Sequence, residues 1–299
     1  MQLLIYRLVY PILWGISKLP WRIFYLFSSG IYLFVYHIVG YRKRIVTENL
    51  ILVFPEKSKS EISRIRKVFY QHMCDMFLEM IKTMSISEKE LSKRFKILNP
   101  EILKSLEVKK KSVIVLIAHY ASYEWSIAVQ FLGSYPIVGV YKKIANKHFD
   151  QLIHRIRRRF DARLISKHNT IREITRDKIQ GKLCAYGLVT DQSPRLKGAS
   201  YWTDFMGIKV PAYPGGEKIA KRLDMPVVYL KVEKVKRGHY EAEFIPITET
   251  PKDCDDYYIT KKYLRLLEKQ IYNKPEYYLW THKRWKLRDA KIPKTAIVD

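Results

Sequence analysis

His119 and Glu124 stand five residues apart in the run Ala118-His119-Tyr120-Ala121-Ser122-Tyr123-Glu124. A histidine changes charge near neutral pH, and its two ring nitrogens can take different roles. If Glu124 accepts a hydrogen bond from one nitrogen, the other is free to take a proton from a hydroxyl, the work of a general base. No separate nucleophile is then required, because the deprotonated alcohol can attack an acyl thioester directly. That separates the pair from a serine-protease arrangement. The spacing alone is weak, since a histidine at a strand end beside an unrelated helical glutamate has the same letters.

The elements around the pair give it a place. Ser112–Ala118 is a short, continuous apolar run, the pattern of a strand buried on both faces. His119 follows it directly, and a helix is predicted from Glu124 to Leu132. Further strands are predicted over 136–140, 163–165, 183–189, 226–232 and 240–246. Helices are predicted over 60–84, 147–159, 170–180, 216–223 and 255–273, with Ser58 or Ser60 capping the first. Alternating strands and helices imply an α/β fold, a sheet covered by helices. In such folds reacting groups gather beyond the carboxyl ends of the strands. Asp191 also follows a buried strand and is expected to orient an arginine or an acceptor group.

The first forty residues have a different texture. Residues 23–40 are almost wholly apolar, bounded by Arg22 and by Tyr41-Arg42-Lys43-Arg44. The length is near the minimum for crossing a hydrocarbon core of about 30 Å. The basic cluster after the stretch suggests that the rest of the chain faces the cytoplasm. Residues 3–16, broken by Arg7 and Pro11, suit an interfacial helix. The expected organisation is an anchor over residues 1–45 and a catalytic domain over 46–299. The other reading of the apolar stretch is a helical hairpin packed into a soluble core.

Lys and Arg number 55 against 29 Asp and Glu, a formal charge of +26. So large an excess calls for an anionic partner. Nucleic acid would satisfy it, but the charge is spread along the chain and no nucleic-acid motif is present. Three scattered cysteines, Cys74, Cys184 and Cys254, form no disulfide framework. The histidines show no ligand spacing, so neither a metal nor a cofactor is expected.

Several ordered blocks resemble the late lauroyl/myristoyl acyltransferases of lipid A biosynthesis, within the wider lysophospholipid acyltransferases. They are Tyr41–Arg44 with Glu48-Asn49-Leu50 and Phe54-Pro55-Glu56; His119 with Glu124; Tyr141, Asn146, Phe149-Asp150, Arg157 and Arg159; Asp191-Gln192; Phe205–Pro211 with Gly215; and Pro275–Lys286. The likeness runs from about Tyr41 to Arg288. It implies a glycerol-3-phosphate acyltransferase-like fold with an N-terminal membrane helix. It also implies acyl transfer from acyl carrier protein, or from acyl-CoA, to a hydroxyl of a phosphorylated lipid A precursor at the inner membrane. By the same resemblance His119 and Glu124 are the catalytic residues, and Asn146, Arg157, Arg159, Asp191 and Arg284 bind substrate. Of the two arginines in the 147–159 segment, Arg159 is favoured near the chemistry. Lysophospholipids, aminolipids and other glycolipids are alternative acceptors, and a non-catalytic basic binding protein is the alternative of another class.

Overall fold

The computed structural model describes residues 2–133 and 135–299. Within them the strands are β1 Phe95–Ile97, β2 Val113–Ile117, β3 Ile137–Tyr141, β4 Arg163–Ser166, β5 Ala185–Val189, β6 Tyr201–Phe205, β7 Ile208–Pro211, β8 Val227–Lys236, β9 His239–Thr248 and β10 Ile297–Val298. The α-helices are α1 Gln2–Lys18, α2 Trp21–Leu33, α3 Lys43–Val53, α4 Lys59–Lys82, α5 Glu88–Arg94, α6 Glu101–Val108, α7 Lys147–Arg157, α8 Thr170–Ile179, α9 Gly215–Leu223 and α10 Tyr258–Asn273. A π-helical turn, Phe34–Val39, extends α2, and a 3-10 helix covers Tyr123–Leu132.

Seven strands form the main sheet in the order β1-β9-β8-β2-β5-β3-β4. From β8 to β4 all neighbours are parallel, and only the β8–β9 hairpin and its neighbour β1 reverse direction. β2 is buried at every residue, as its unbroken run of branched apolar side chains demands. Helices flank this sheet, so the alternation read in the sequence gives the mixed α/β architecture. Gly216, in the first turn of α9, lies against the sheet. A Cβ there would lie 2.9 Å from Leu116 Cδ2, so a side chain at this position would require the Leu116 side chain to shift.

A small second sheet, β10-β6-β7, joins two strands from the stretch before α9, to which sequence reading assigns no strand, with β10 from residues 297–298. Its strands are short, and β6 carries Thr203 and Asp204 among aromatics, so no periodicity announces it. Ser58, by contrast, caps α4 as anticipated. Its Oγ accepts from the Glu61 amide while Glu61 accepts from the Ser58 amide at 2.9 Å.

The segment after α10 closes the fold. Trp280 and Trp285 are buried and stack with centroids 5.7 Å apart. The Trp285 indole donates to the Phe205 carbonyl on β6. Asn49 on α3 donates to the carbonyls of Trp280 (2.8 Å) and His282 (2.9 Å), and Arg42 donates to that of Thr281 (3.0 Å). The two ends of the chain are thereby tied together through main-chain oxygens that would otherwise go unpaired in the interior. Asn49→Ala should lower stability by about 2 kcal/mol, because two carbonyls lose their donor. A fall in the thermal unfolding midpoint of the detergent-solubilised protein, with unchanged circular dichroism, is the expected result.

Candidate active site

β2 and β5 are parallel neighbours with Ile117 opposite Val189. Carried two residues further, that register sets His119 beside Asp191. The pairing follows: His119 Nδ1 lies 2.7 Å from Asp191 Oδ1, and the His119 amide also donates to this oxygen at 3.3 Å. Asp191 is buried to 1% exposure, whereas 18% of the His119 side chain remains open. With Nδ1–H given to the carboxylate, Nε2 carries the lone pair. The Gln192 side-chain nitrogen sits 3.3 Å from Nε2, and the Tyr123 ring meets the imidazole edge-on at 4.9 Å.

The carboxylate on His119 is therefore Asp191, and the expected hydrogen bond from the His119 ring to Glu124 is not made. Glu124, in the first turn of the 3-10 helix, instead accepts two hydrogen bonds from Arg157. They run from Nε at 2.9 Å and from Nη2 at 2.5 Å. Such a two-pronged pair suits the fixed fork of a guanidinium. Glu124 still acts on His119 through space. Burial works against the imidazolium, but the Asp191 charge and hydrogen bond, with the Glu124 charge behind them, raise the His119 pKa above the ordinary 6.5. Asp191 is likewise pushed up by burial, but the His119 charge and hydrogen bonds outweigh this and hold its carboxyl below the usual range.

Three other residues expected to bind substrate make protein contacts of their own. Arg159 lies beyond the end of α7 and is exposed. The turn carries it away from His119, and its guanidinium donates to the Met84 carbonyl. Of the two arginines it is Arg157 that lies at the site. Asn146 caps α7, its side-chain oxygen accepting from the amides of His148 (3.1 Å) and Phe149 (3.3 Å). Arg284 is 1% exposed, too deep to reach a phosphate. It donates to the Pro211 carbonyl at 3.0 Å and lies 4.8 Å over the Phe205 ring.

The final segment also grips the histidine turn. Leu279 donates its amide to the His119 carbonyl at 3.0 Å, and Ala121 donates to the Tyr277 carbonyl at 2.9 Å. Ala121 takes a φ of 49°, a left-handed conformation that a side chain resists. These bonds to the clamped segment hold the turn in it. His282 reaches the same neighbourhood, its Nε2 accepting from the Ser193 amide at 3.2 Å. Burial first, then nearby cations, push the His282 pKa down to about 4, so it stays a neutral acceptor. Gln192 and His282 both fall within the blocks of resemblance, but neither is assigned a role there. The signal for Asp191 was present, because Asp191 and His119 each come two residues after the last residue of their strands.

Among the described residues no three His, Cys, Asp or Glu side chains converge as metal ligands. The arrangement can accept a proton from a weak acid at Nε2 and return it to a leaving group. Its electrostatics make a direct prediction for NMR. His119 should titrate above 6.5 in the native chain. In Asp191→Asn, where burial remains and the charge is gone, it should titrate below that value.

Residues 1–287 match the bacterial lipid A biosynthesis acyltransferase family. The lipid A biosynthesis lauroyltransferase of Escherichia coli (strain K12) is 22% identical over 287 residues, 94% of this chain and 91% of the relative. The palmitoleoyltransferase of the same strain is 24% identical over 279 residues, covering 93% and 89%. The myristoyltransferase is 22% identical over 241 residues, covering 80% and 74%. With a match across nearly its whole length, this chain belongs to the bacterial lipid A biosynthesis acyltransferases and is an enzyme of that family.

Proposed function

We propose that the catalytic domain over residues 46–299 transfers a fatty acyl group from an acyl thioester to a hydroxyl of a lipid A precursor at the cytoplasmic face of the inner membrane. The observation that carries this reading is the His119–Asp191 pair, in which the carboxylate engages Nδ1 and leaves Nε2 beside Gln192 on a ring that is 18% exposed. In the proposed step the acceptor hydroxyl gives its proton to Nε2 as its oxygen bonds to the thioester carbonyl carbon. Asp191 holds the ring in the correct tautomer and balances the imidazolium. The tetrahedral intermediate then expels the thiolate, which recovers the proton from His119, leaving an ester and a free thiol.

Arg157 is the guanidinium whose charge reaches His119. It is the group assigned to meet negative charge on the carbonyl oxygen, with Glu124 fixing its direction. Lys143, Arg155, Arg158 and Arg159 border an open hollow beside α7, together with Tyr141 and His154. That basic rim suits the phosphates of the acceptor and the acidic surface of acyl carrier protein. No protein cofactor enters the scheme, and acyl-CoA is the second donor to be tried.

Purified protein incubated with acyl carrier protein thioester and a tetra-acylated phosphoglycolipid should yield a product heavier by one acyl group in mass spectrometry. Lysophospholipid, aminolipid and glycolipid acceptors run in parallel should give no product; transfer to one of them alone would reassign the acceptor. His119→Ala should lower turnover by about 10²–10⁴-fold, the usual contribution of a general base. Glu124→Gln should cost less, because Asp191 still orients the ring. The rate constant kcat/KM should rise with pH through a value above 6.5, since the base works only when unprotonated. In Asp191→Asn that limb should move to lower pH while its plateau falls.

A further inference from the structure

The helices α1 and α2 carry two opposed faces. Outward, Leu8, Ile12, Leu26, Leu33, Phe34 and Ile38 are each more than half exposed, which is costly in water for so many large apolar side chains on one side. Arg7, Lys18, Arg22, Arg42 and Arg44 are exposed along the same stretch. Inward, the helices are fastened by polar contacts. Tyr25 donates to Glu79 at 2.9 Å, and Ser28 donates to Asp75 at 2.7 Å. Arg237, at the tip of the β8–β9 hairpin, pairs with Asp75 and donates to the Tyr25 carbonyl and to Ser29.

The fastening extends to both ends. Tyr6, early in α1, stacks on His148 at 5.6 Å and meets Phe149 edge-on at 6.0 Å, both on α7. Ser85 and Lys82 donate to the carbonyls of Ser17 and Leu19 at the joint between the helices. Tyr36, in the last turn, packs on Tyr70 at 5.3 Å. The stretch Trp21–Val39 is long and apolar enough to cross a membrane. If it did so with these contacts intact, Asp75, Arg237 and Lys234 would enter the hydrocarbon with it, which charged groups strongly resist. A crossing would also carry Tyr6 to the opposite side from α7, its packing partner.

We infer that α1 and α2 do not cross the bilayer but lie along one leaflet, their apolar stripe in the acyl-chain region of anionic phospholipid and their polar face locked to the catalytic domain. The mode of attachment rests on the reading above only in taking a membrane lipid as the acceptor. It places the entrance to the site at the lipid surface, because α7, which carries Arg157, also packs against α1.

Topology tests this without any assay of transfer. The full chain carries a protease-cleavable epitope tag at each end, in inside-out and right-side-out membrane vesicles. Both tags should be cleaved in the same vesicle orientation and protected in the other. Cleavage of the two tags in opposite orientations would overturn the inference. Leu26→Glu with Ile38→Glu should weaken binding to vesicles of 3:7 phosphatidylglycerol and phosphatidylethanolamine more than tenfold while leaving the folded circular dichroism spectrum. Unchanged vesicle binding by that folded variant would also overturn it. If both tags share one side and no acyl transfer is found, the attachment stands and the functional reading fails alone.

Discussion

A carboxylate sealed from water must have its charge met, and Asp191 is such a group. Its oxygen Oδ1 is met by the His119 ring and the His119 amide, both at the end of the neighbouring strand. An unpaired buried charge is among the most destabilising features a fold can contain. The parallel register of β2 and β5 therefore has a consequence beyond the sheet. It fixes one tautomer and one orientation of the imidazole, and it leaves Nε2 free of the carboxylate.

The rest of the site is built outward from that pair. The turn after β2 is held in an unfavourable backbone conformation at Ala121 by hydrogen bonds to Tyr277 and Leu279. The segment making those bonds is in turn gripped by Asn49 and Arg42, residues from just past the amino-terminal helices. Buried Arg284 continues the same work from below, stacked on Phe205 and bonded to Pro211 of the small sheet. One cation of the terminal block is thereby withheld from any ligand. Lys283 and Lys286 are exposed, but Arg284 is a structural brace.

Elements announced by a local pattern were legible, and those without one, such as the small second sheet, were not. Apolar runs gave the buried strands, and the ends of α7 to α10 lie within three residues of where periodicity sets them. What escaped was non-local. Whether Glu124 or Asp191 meets His119 depends on which strands are neighbours, and no spacing along the chain reports that β5 lies beside β2. The choice between Arg157 and Arg159 turned on where α7 stops. The helix ends at Arg157, keeping that side chain pointed at Glu124, while the following turn takes Arg159 to Met84. The cap at Asn146 shows the same limit from the other direction: a polar residue in a recurring block can be there for the backbone.

Two carboxylates beside one histidine divide the labour between geometry and charge. Asp191 touches the ring and Glu124 does not, yet both raise its basicity. With Arg157 counted, the resting site holds two negative charges and one positive around a neutral imidazole. Protonation of the ring brings that sum to zero in a place largely closed to solvent. A base whose protonation neutralises its surroundings gains most where water cannot screen the change. Removing Arg157 would raise the basicity further, but it would also leave Glu124 without its partner and let it swing toward His119. The ion pair thus serves to keep the second carboxylate close enough to be felt and too firmly held to compete with Asp191 for the ring.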